Sequence, residues 1–318
     1  MDAPHIPVMA EEAVYWLNVR PGGVYVDATA GAGGHSVLIA ERLAGRGRLL
    51  ALDRDPDAVA LAGERLAGHP VAAVFHANYS ELNEVLRNAG ESGADGVLID
   101  AGVSSMQIDR ADRGFSFQAD GPLDMRMDTS RGPTAAEWLR SAREAEVAAV
   151  LRAFGDVGPA GRIARTIAER CAAGRMTRTG DLAEAVRAAL HFVRGTPDEI
   201  RTVFQAVRMA VNDELGALGR GVAEAVDALR PGGRLVVISF HSGEDRTVKE
   251  LLRAFSRTER VLGPDGRTVA AAPPRVRLPL KKPLQPGPDE CLVNPRAKSA
   301  RMRVAERLDA ALCEEREP

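Results

Sequence analysis

The sequence predicts an α/β protein with a doubly wound, Rossmann-like parallel sheet and an inserted, all-helical subdomain. Two observations lead to this fold class. Short apolar runs end near residues 27, 53, 76 and 100, every 23–26 residues, with helical patterns between them, which is the rhythm of βαβ units. The next convincing strand begins only near residue 234. Because a single crossover is much shorter than this interval, a subdomain must lie within it.

The first part of the sheet can be predicted element by element. An amphipathic helix over residues 11–17 precedes a strand that ends at Asp27. Asp55 and Pro56 supply an N-cap and a first helical residue. Further strands are predicted over 49–53, 71–75 and 96–100, and helices over 36–43, 56–68 and 80–90.

The interval after the fourth strand has a helical character. Thr134 to Glu137 form a capping box, and helices are predicted over 142–154, 160–173, 179–193 and 197–229. Three glycines, Gly216, Gly219 and Gly221, are expected to interrupt the last of these helices. We therefore divide the chain into a discontinuous sheet domain, 1–107 and 213–318, and a helical insert, 108–212.

The chain returns to the sheet through a turn at 231–233 and a strand over 234–240. A helix to about Ser256 follows. Residues 261–295 are rich in proline, glycine and basic residues, which predicts an extended loop. A closing strand is expected over 302–306, and the last dozen residues are expected to fray.

Composition limits the class of protein. The chain has 318 residues, of which 45% are apolar, enough for a large core. No apolar run approaches the ~18 residues of a membrane span, and the start lacks the features of a signal peptide. We therefore expect a cytoplasmic protein without a membrane partner. The three cysteines and the scattered acids show no metal-ligand spacing, so no metal is predicted.

Charge is distributed unevenly along the chain. Residues 253–303 contain twelve Lys and Arg against four Asp and Glu, a local charge of +8, although the whole chain has a formal charge of −2. Such a segment is typical of a protein with a polyanionic partner, and equally of a solvated basic tail.

The turn after the first strand indicates a nucleotide-type cofactor. Asp27-x-Thr29-x-Gly31-x-Gly33 leads into a helix, and Asp53 follows Gly33 by 20 residues, the distance at which an acid accepts hydrogen bonds from ribose hydroxyls. A dinucleotide site needs a third glycine where Ser36 stands. The turn therefore favours S-adenosylmethionine, although a dinucleotide or a purely structural turn stays open.

Longer motifs point to a known family. They are Gly33-Gly34-His35-Ser36, Asp100-Ala101-Gly102-Val103-Ser104-Ser105-Met106-Gln107, Asp112-Arg113-Gly114-Phe115-Ser116-Phe117, Asp120-Gly121-Pro122-Leu123-Asp124-Met125-Arg126-Met127-Asp128, Ser239-Phe240-His241-Ser242-x-Glu244-Asp245-Arg246 and Asn294-Pro295-Arg296-Ala297-Lys298-Ser299. Together they closely resemble the RsmH (MraW) family of ribosomal RNA small subunit methyltransferases, over about residues 5–307.

The resemblance implies a class I methyltransferase that uses S-adenosylmethionine. Its substrate would be 16S rRNA within the small ribosomal subunit, methylated on N4 of a cytidine in the decoding region, at the P site. The cofactor contacts carried over by motif are Gly33, Gly34, His35, Asp53, Tyr79, Asp100 and Gln107. Tyr79 would offer its ring to adenine, unless it is an ordinary residue at a helix start.

The catalytic candidates lie at strand ends. Because the N4 amine of cytosine is conjugated with its ring, positioning and hydrogen-bond acceptors should matter more than a strong base. We expect Asp100, Ser104, Ser105 and His241 to orient the base, with a supporting role for His241 as the alternative.

RNA contacts are expected from the insert and from the basic segment. The candidates are Arg113, Phe115, Phe117, Arg126, Arg296 and Lys298. Simple packing of the insert against the sheet domain is the alternative for Phe115 and Phe117. DNA is not an expected partner, because the Pro-Pro-aromatic signature of amino-methylating DNA enzymes is absent after the fourth strand. A small-molecule methyltransferase and a non-catalytic RNA-binding assembly factor are the rival functions, and the oligomeric state stays open.

Overall fold

The computed structural model describes residues 7–190, 197–262 and 268–309, apart from the side chains of Ser105 and of residues 259–262 and 268–270. The chain forms two compact units. One comprises Met1–Gly102 and Leu215–Pro318, and the other comprises Val103–Glu214. Each unit has its own apolar core.

The first unit is built on a seven-stranded sheet. Its strands are β1 (Val24–Asp27), β2 (Arg48–Asp53), β3 (Ala72–His76), β4 (Ala94–Asp100), β5 (Leu229–Ser239), β8 (Val276–Arg277) and β9 (Arg301–Arg307). Their order is β3-β2-β1-β4-β5-β9-β8. The first five are parallel, whereas β9 runs antiparallel to β5 and β8 antiparallel to β9. This architecture confirms the predicted fold class.

Helices cover both faces of this sheet, which explains the nearly continuous apolar strands. They are α1 (Ala10–Leu17), α2 (Gly34–Leu43), α3 (Pro56–Leu66), α4 (Leu82–Asn88), α11 (Glu214–Ala228), α12 (Ser242–Phe255) and α13 (Pro288–Val293). Successive residues of β1 enter opposite cores: Val26 packs with Leu50, while Tyr25 packs with Leu49. The alternation is the two-residue period of a strand.

Local signals in the sequence correspond to observed helix boundaries. The Asp55 side chain accepts a hydrogen bond from the Asp57 N–H, and Pro56 is the first residue of α3. The helix predicted from Ser80 begins as a 3₁₀ turn, Tyr79–Glu81, and continues as α4. Asn78 and Glu81 form a capping box at the start of that turn. The segment therefore begins as a capped 3₁₀ turn and becomes an α-helix at Leu82.

The prediction of one extended loop over 261–295 was wrong. A two-stranded antiparallel ribbon, β6 (Glu259–Leu262) and β7 (Thr268–Ala272), occupies its first part. Val276 is buried and pairs through β8 with the edge of β9, and α13 begins at Pro288. The prolines therefore separate short elements, because each ends one hydrogen-bonded stretch and Pro288 fits a first helical position.

The second unit is helical within its described residues. Its helices are α5 (Ser105–Asp109), α6 (Ala135–Ser141), α7 (Glu144–Gly155), α8 (Ala160–Ala172), α9 (Thr179–Ala189) and α10 (Glu199–Val211). Thr134 and Glu137 form the predicted capping box of α6. The last residues of the helix predicted over 179–193 lie outside the described residues, as do the last nine residues of the predicted frayed end.

The expected break in the long helix over 197–229 lies elsewhere. Gly216, Gly219 and Gly221 are all inside α11, and the interruption falls at Asn212 and Asp213. The Asn212 amide donates to the carbonyls of Met125 and Arg208 and accepts from the Met127 N–H. Asp213 then takes a φ of +46°. A tertiary anchor at Asn212 thus ends the helix, whereas glycine alone does not.

The strand predicted over 234–240 also begins earlier, at Leu229. Its pairing with β4 shifts register between Ala94 and Gly96, so the Pro231-Gly232-Gly233 segment is accommodated as an irregularity inside β5.

None of the helices in the described part of the chain combines the length and apolarity needed to cross a membrane.

Candidate cofactor and active site

The glycine turn joins β1 to α2 in the first unit. Gly31 and Gly33 have φ angles of +52° and +80°, in the left-handed region that favours glycine. Gly33 is the N-cap of α2, and no side chain caps this helix. A Cβ on Gly34 would lie 3.1 Å from the Pro7 ring. The turn is therefore tightly packed at Gly34, and the N–H groups of this helix start have no side-chain acceptor.

Asp27, at the end of β1, is a fully buried carboxylate. One of its oxygens accepts from the Ser36 hydroxyl at 2.6 Å, and the other accepts from the Thr29 N–H at 3.2 Å. Burial raises the pKa of Asp27 to about 6, against the opposing effect of these hydrogen bonds. Asp27 thus holds the glycine turn onto α2 from inside the core.

Asp53, at the end of β2, also holds this turn. Its oxygens accept from the Gly31 N–H at 2.7 Å and from the Asp55 N–H at 2.8 Å. Burial is the main reason that the pKa of Asp53 is raised to about 6. Because a carboxylate oxygen has two lone pairs, Asp53 can accept further hydrogen bonds, and its predicted role toward a ribose stays a prediction.

Asp100, at the end of β4, lies beside His35. The His35 ring donates from Nε2 to the Val8 carbonyl at 3.0 Å, so its Nδ1 carries a lone pair when the ring is neutral. Burial lowers the pKa of His35 to about 4. This Nδ1 lies 3.8 Å from Oδ2 of Asp100, so two hydrogen-bond acceptors face each other.

The Asp100 carboxyl has an unsatisfied oxygen. Its Oδ1 is buried and has no hydrogen-bond partner, although the Asp100 backbone N–H donates to the Thr29 hydroxyl at 2.7 Å. Burial, followed by the charges of Asp27 and Glu244, raises the pKa of Asp100 well above its ordinary value. A buried acceptor without a donor is costly, so this site fits a ligand that brings hydrogen-bond donors.

The three acids lack cationic partners within their unit. Among its described residues, no Lys or Arg forms an ion pair with Asp27, Asp53 or Asp100. The acids stand at the carboxyl ends of parallel strands. These strand ends lie at one edge of the sheet, where ligands bind in this class of fold. A cationic ligand without phosphates, such as S-adenosylmethionine, fits this set of acceptors better than a dinucleotide does.

Tyr79 is largely buried, with 8% of its surface exposed. Its ring packs against Gly221 of α11, where a Cβ would lie only 2.5 Å from the ring atom Cδ2. The sequence did not predict this pairing, because the two residues are far apart in the chain. Gly221 therefore fixes the position of the Tyr79 ring.

His241 caps α12. Its Nδ1 accepts from the N–H groups of Gly243 and Glu244 at 3.2 and 3.3 Å, which leaves the proton of the neutral ring on Nε2. The buried Glu244 carboxylate accepts from the N–H groups of Phe240 and His241 at 2.8 and 3.2 Å. The loop after β5 is thus held by a reciprocal box. Sequence reasoning missed Glu244, although its spacing from His241 is that of a capping box.

In the second unit, Ser104 and Gln107 form a similar box. The Ser104 hydroxyl accepts from the Gln107 N–H at 3.3 Å, and the Gln107 side chain accepts from the Ser104 N–H at 3.1 Å. Ser105 is the first residue of α5, and its side chain lies outside the described part of the chain. The box fixes the start of this short helix.

Most of the residues of the second unit that are candidates for RNA contact interact with other residues of that unit. Arg113 is 5% exposed and donates to the carbonyls of Arg126 and Met127 at 3.1 Å, so it stabilises a loop. Phe117 packs edge-on against Phe204, inside the core of the second unit, whereas the alternative given above was packing against the sheet domain. Phe115 is half-buried and lies 6.0 Å from the Arg113 guanidinium.

Arg126 forms a two-point ion pair with Asp124, at 2.8 and 2.9 Å. The side chains of both residues are about one-fifth exposed. In the first unit, by contrast, Arg296 and Lys298 are exposed on the 3₁₀ turn Pro295–Ser299. Lys298 forms no ion pair within the described residues. Accessible positive charge is therefore found near β9.

Two comparisons with known proteins concern structure. An rRNA methylase from Streptococcus thermophilus is similar to this chain with a TM-score of 0.41 and 10% identity, covering 96% of this chain and 100% of its own. A SAM-dependent O-methyltransferase from Thermotoga maritima gives a TM-score of 0.41 and 11% identity, over 96% of this chain and 68% of its own. These distant similarities do not bear on function.

The sequence comparisons are much stronger. The chain is 49% identical over 311 residues to Ribosomal RNA small subunit methyltransferase H from Methylibium petroleiphilum, covering 97% of this chain and 96% of the relative. The family model described as the MraW methylase family matches residues 2–308. The chain therefore belongs to the MraW methylase family.

Proposed function

We propose that this protein uses S-adenosylmethionine to methylate N4 of a cytidine in the decoding region of 16S rRNA, in the cytoplasm. The observation that carries the proposal is the 49% identity, over nearly the whole chain, to a small subunit rRNA methyltransferase. The cation-free acid cluster at the sheet edge supports the cofactor. The choice of N4 comes from the motif resemblance.

The proposed cofactor contacts follow from the donors and acceptors of the site. The N–H groups after Gly33 and Gly34 suit the cofactor carboxylate. The facing acceptors of His35 and Asp100 suit its amino group. Asp53 suits the ribose hydroxyls, and Tyr79 bounds the adenine side. Gln107 is a further contact by motif. When bound, S-adenosylmethionine supplies an electrophilic methyl group.

The target amine needs orientation and an acceptor for its proton. We assign the unpartnered Oδ1 of Asp100 to this role, because the raised pKa of this carboxyl suits proton acceptance better than an ordinary aspartate does. Ser104 and Ser105 would orient the base through hydroxyl groups. His241 would act by holding the loop after β5, since its Nδ1 is used by the cap.

The proposal is tested by transfer of a labelled methyl group to small ribosomal subunits that lack the modification. Nuclease digestion and mass spectrometry of the product should give N4-methylcytidine. We expect Asp100→Asn to lower the single-turnover rate by about 100-fold or more. Asp57→Asn, an exposed acid near the start of α3, is the control and should keep the wild-type rate.

Other products would contradict parts of the proposal. A methyl group on C5 or on the 2′ oxygen would exclude the N4 assignment. Cofactor binding without transfer to any RNA would support the rival function, a non-catalytic assembly factor.

A further inference from the structure

Two adjacent apolar side chains are exposed at the end of α13. Leu292 is 81% exposed and Val293 is 71% exposed. Among the described residues, the other large hydrophobic side chain with comparable exposure is Tyr15 on α1. No residue of α13 is buried, so this short helix presents a contiguous apolar pair outward, as a contact surface does.

The pair lies at the same sheet edge as the acid cluster. Arg301, the first residue of β9, pairs with Ser239 at the carboxyl end of β5, and the chain from α13 leads directly into β9. Oε1 of Glu290 in α13 accepts from the Met9 N–H at 2.7 Å. The preceding residue, Val8, holds the His35 ring. Helix α13 is therefore tied to the segment that positions the candidate cofactor site.

The pair is followed by buried residues, and exposed lysines lie before and after it in the chain. Ala297 and Ala300, which follow it, are completely buried. Lys298 is exposed without an ion pair in the described chain, and the exposed Lys281 and Lys282 precede Leu284, which is bridged to Met302 on β9. Helix α13 also carries Asp289 and Glu290 in its first turn, and Glu290 is engaged by the Met9 N–H. An apolar projection flanked along the chain by unpaired lysines is complementary to a nucleic acid, which presents phosphates and stacked bases.

We propose that Leu292 and Val293 form a wedge that enters the base stack of the RNA beside the target nucleotide. A base that is modified must first leave its stack, and apolar side chains inserted between bases are one way to open it. The wedge fills the gap that the departing cytidine leaves, while Lys298 and its neighbours hold the adjacent phosphates. This inference rests on the proposed function, because it requires an RNA substrate.

The test compares Leu292→Ala/Val293→Ala with the wild type and with Tyr15→Ala, which removes an equally exposed side chain elsewhere. Single-turnover methylation of unmodified small ribosomal subunits should fall about tenfold or more in the double variant only. Affinity for S-adenosylhomocysteine should be the same in all three proteins. An unchanged rate in the double variant would overturn the wedge while leaving the proposed function intact.

A second measurement reports unstacking directly. The probe is an RNA hairpin with 2-aminopurine next to the target cytidine. Its fluorescence should rise when the hairpin is saturated with the wild-type protein but not when it is saturated with the double variant. Lys298→Ala should weaken RNA binding and make the affinity less dependent on salt concentration. The fluorescence should still rise when the RNA is saturated with this variant. Equal fluorescence for wild type and double variant would contradict the wedge.

Two further outcomes also decide the question. If sedimentation shows a wild-type dimer and a monomeric double variant with normal methylation, the pair is an interface between copies of this chain and not a wedge. If the wild type transfers no methyl group to any rRNA, the proposed function fails and the wedge fails with it.

Discussion

Single residues in the first unit are fixed by contacts that no local pattern contains. Tyr79 is positioned by Gly221, which lies in the middle of a helix where glycine is otherwise unfavourable. Asp100 is positioned through its backbone by the Thr29 hydroxyl. In both cases the partner is distant in sequence, so the motifs could nominate Tyr79 and Asp100 as candidates but could not predict what supports them.

Gly221→Ala should weaken cofactor binding. The added Cβ would lie 2.5 Å from the Tyr79 ring, so the ring must move, and we expect about a tenfold higher Kd for S-adenosylhomocysteine by calorimetric titration. Overpacking should also destabilise the protein by about 1–3 kcal/mol.

Gly219→Ala is the matched control in the same helix. Its Cβ would lie 3.9 Å from Leu251, an ordinary contact, so it should keep the wild-type affinity and gain roughly 0.5–1 kcal/mol of stability from helix propensity. Equal affinities for the two variants would show that Tyr79 does not border the cofactor.

At the scale of elements, capped helix starts fix several candidate residues within each unit. Three capping boxes, at Asn78, Ser104 and His241, begin the segments that carry Tyr79, Gln107 and Glu244. The boxes use the same spacing that predicted α6 correctly. Applied systematically to the sequence, this spacing would have identified Glu244 as the partner of His241.

The role of His241 can be separated from that of a catalytic group. Asparagine is a good N-cap residue, so His241→Asn should keep both the stability of the wild type and a methylation rate within a few fold of it. His241→Ala loses the cap and should destabilise the protein by about 0.5–2 kcal/mol in thermal or urea unfolding. A large loss of rate in the Asn variant, with normal stability, would instead show that the imidazole contacts the base.

For the whole molecule, periodicity predicted the sheet because strands covered on both faces are continuously apolar. It did not predict the break at Asn212, which depends on a hydrogen bond to Met125 across 87 positions. It also did not predict the short elements within 261–295, whose strands β6 and β7 pair only with each other. The positions of Asp27, Asp53 and Asp100 at strand ends were predictable, but the complete burial of Asp27 was not.

The buried acids make the stability of the whole protein depend on pH. The pKa values of Asp27 and Asp53 are about 6 in the folded protein, against an ordinary value of 3.8. Between these values the folded protein binds more protons than the unfolded chain, so the free energy of unfolding falls as pH rises through about 6. The effect is on the order of 2 kcal/mol for a fully buried carboxyl.

Burial lowers the pKa of His35 to about 4, so His35 contributes in the opposite direction and its contribution to stability is lost as pH falls through its ordinary value of 6.5. We therefore compare the ligand-free wild type with Asp27→Asn, which cannot ionise at this position and keeps the contribution of His35. The Tm difference, wild type minus variant, should increase by about 2 °C as pH is lowered from about 7.5 to about 5.5. A difference that does not change over this range would mean that Asp27 is not held in a destabilising charged state at neutral pH.

The hydrogen bond from Met9 to Glu290 has a consequence for the newly made chain. The two residues are separated by 281 positions, and translation at about 5–20 residues per second needs roughly 15–55 s to cover that distance. Until then the segment that holds His35 lacks one of its anchors. The cofactor site therefore reaches its final form late in synthesis, after the sheet strands β1 to β5 have already been made.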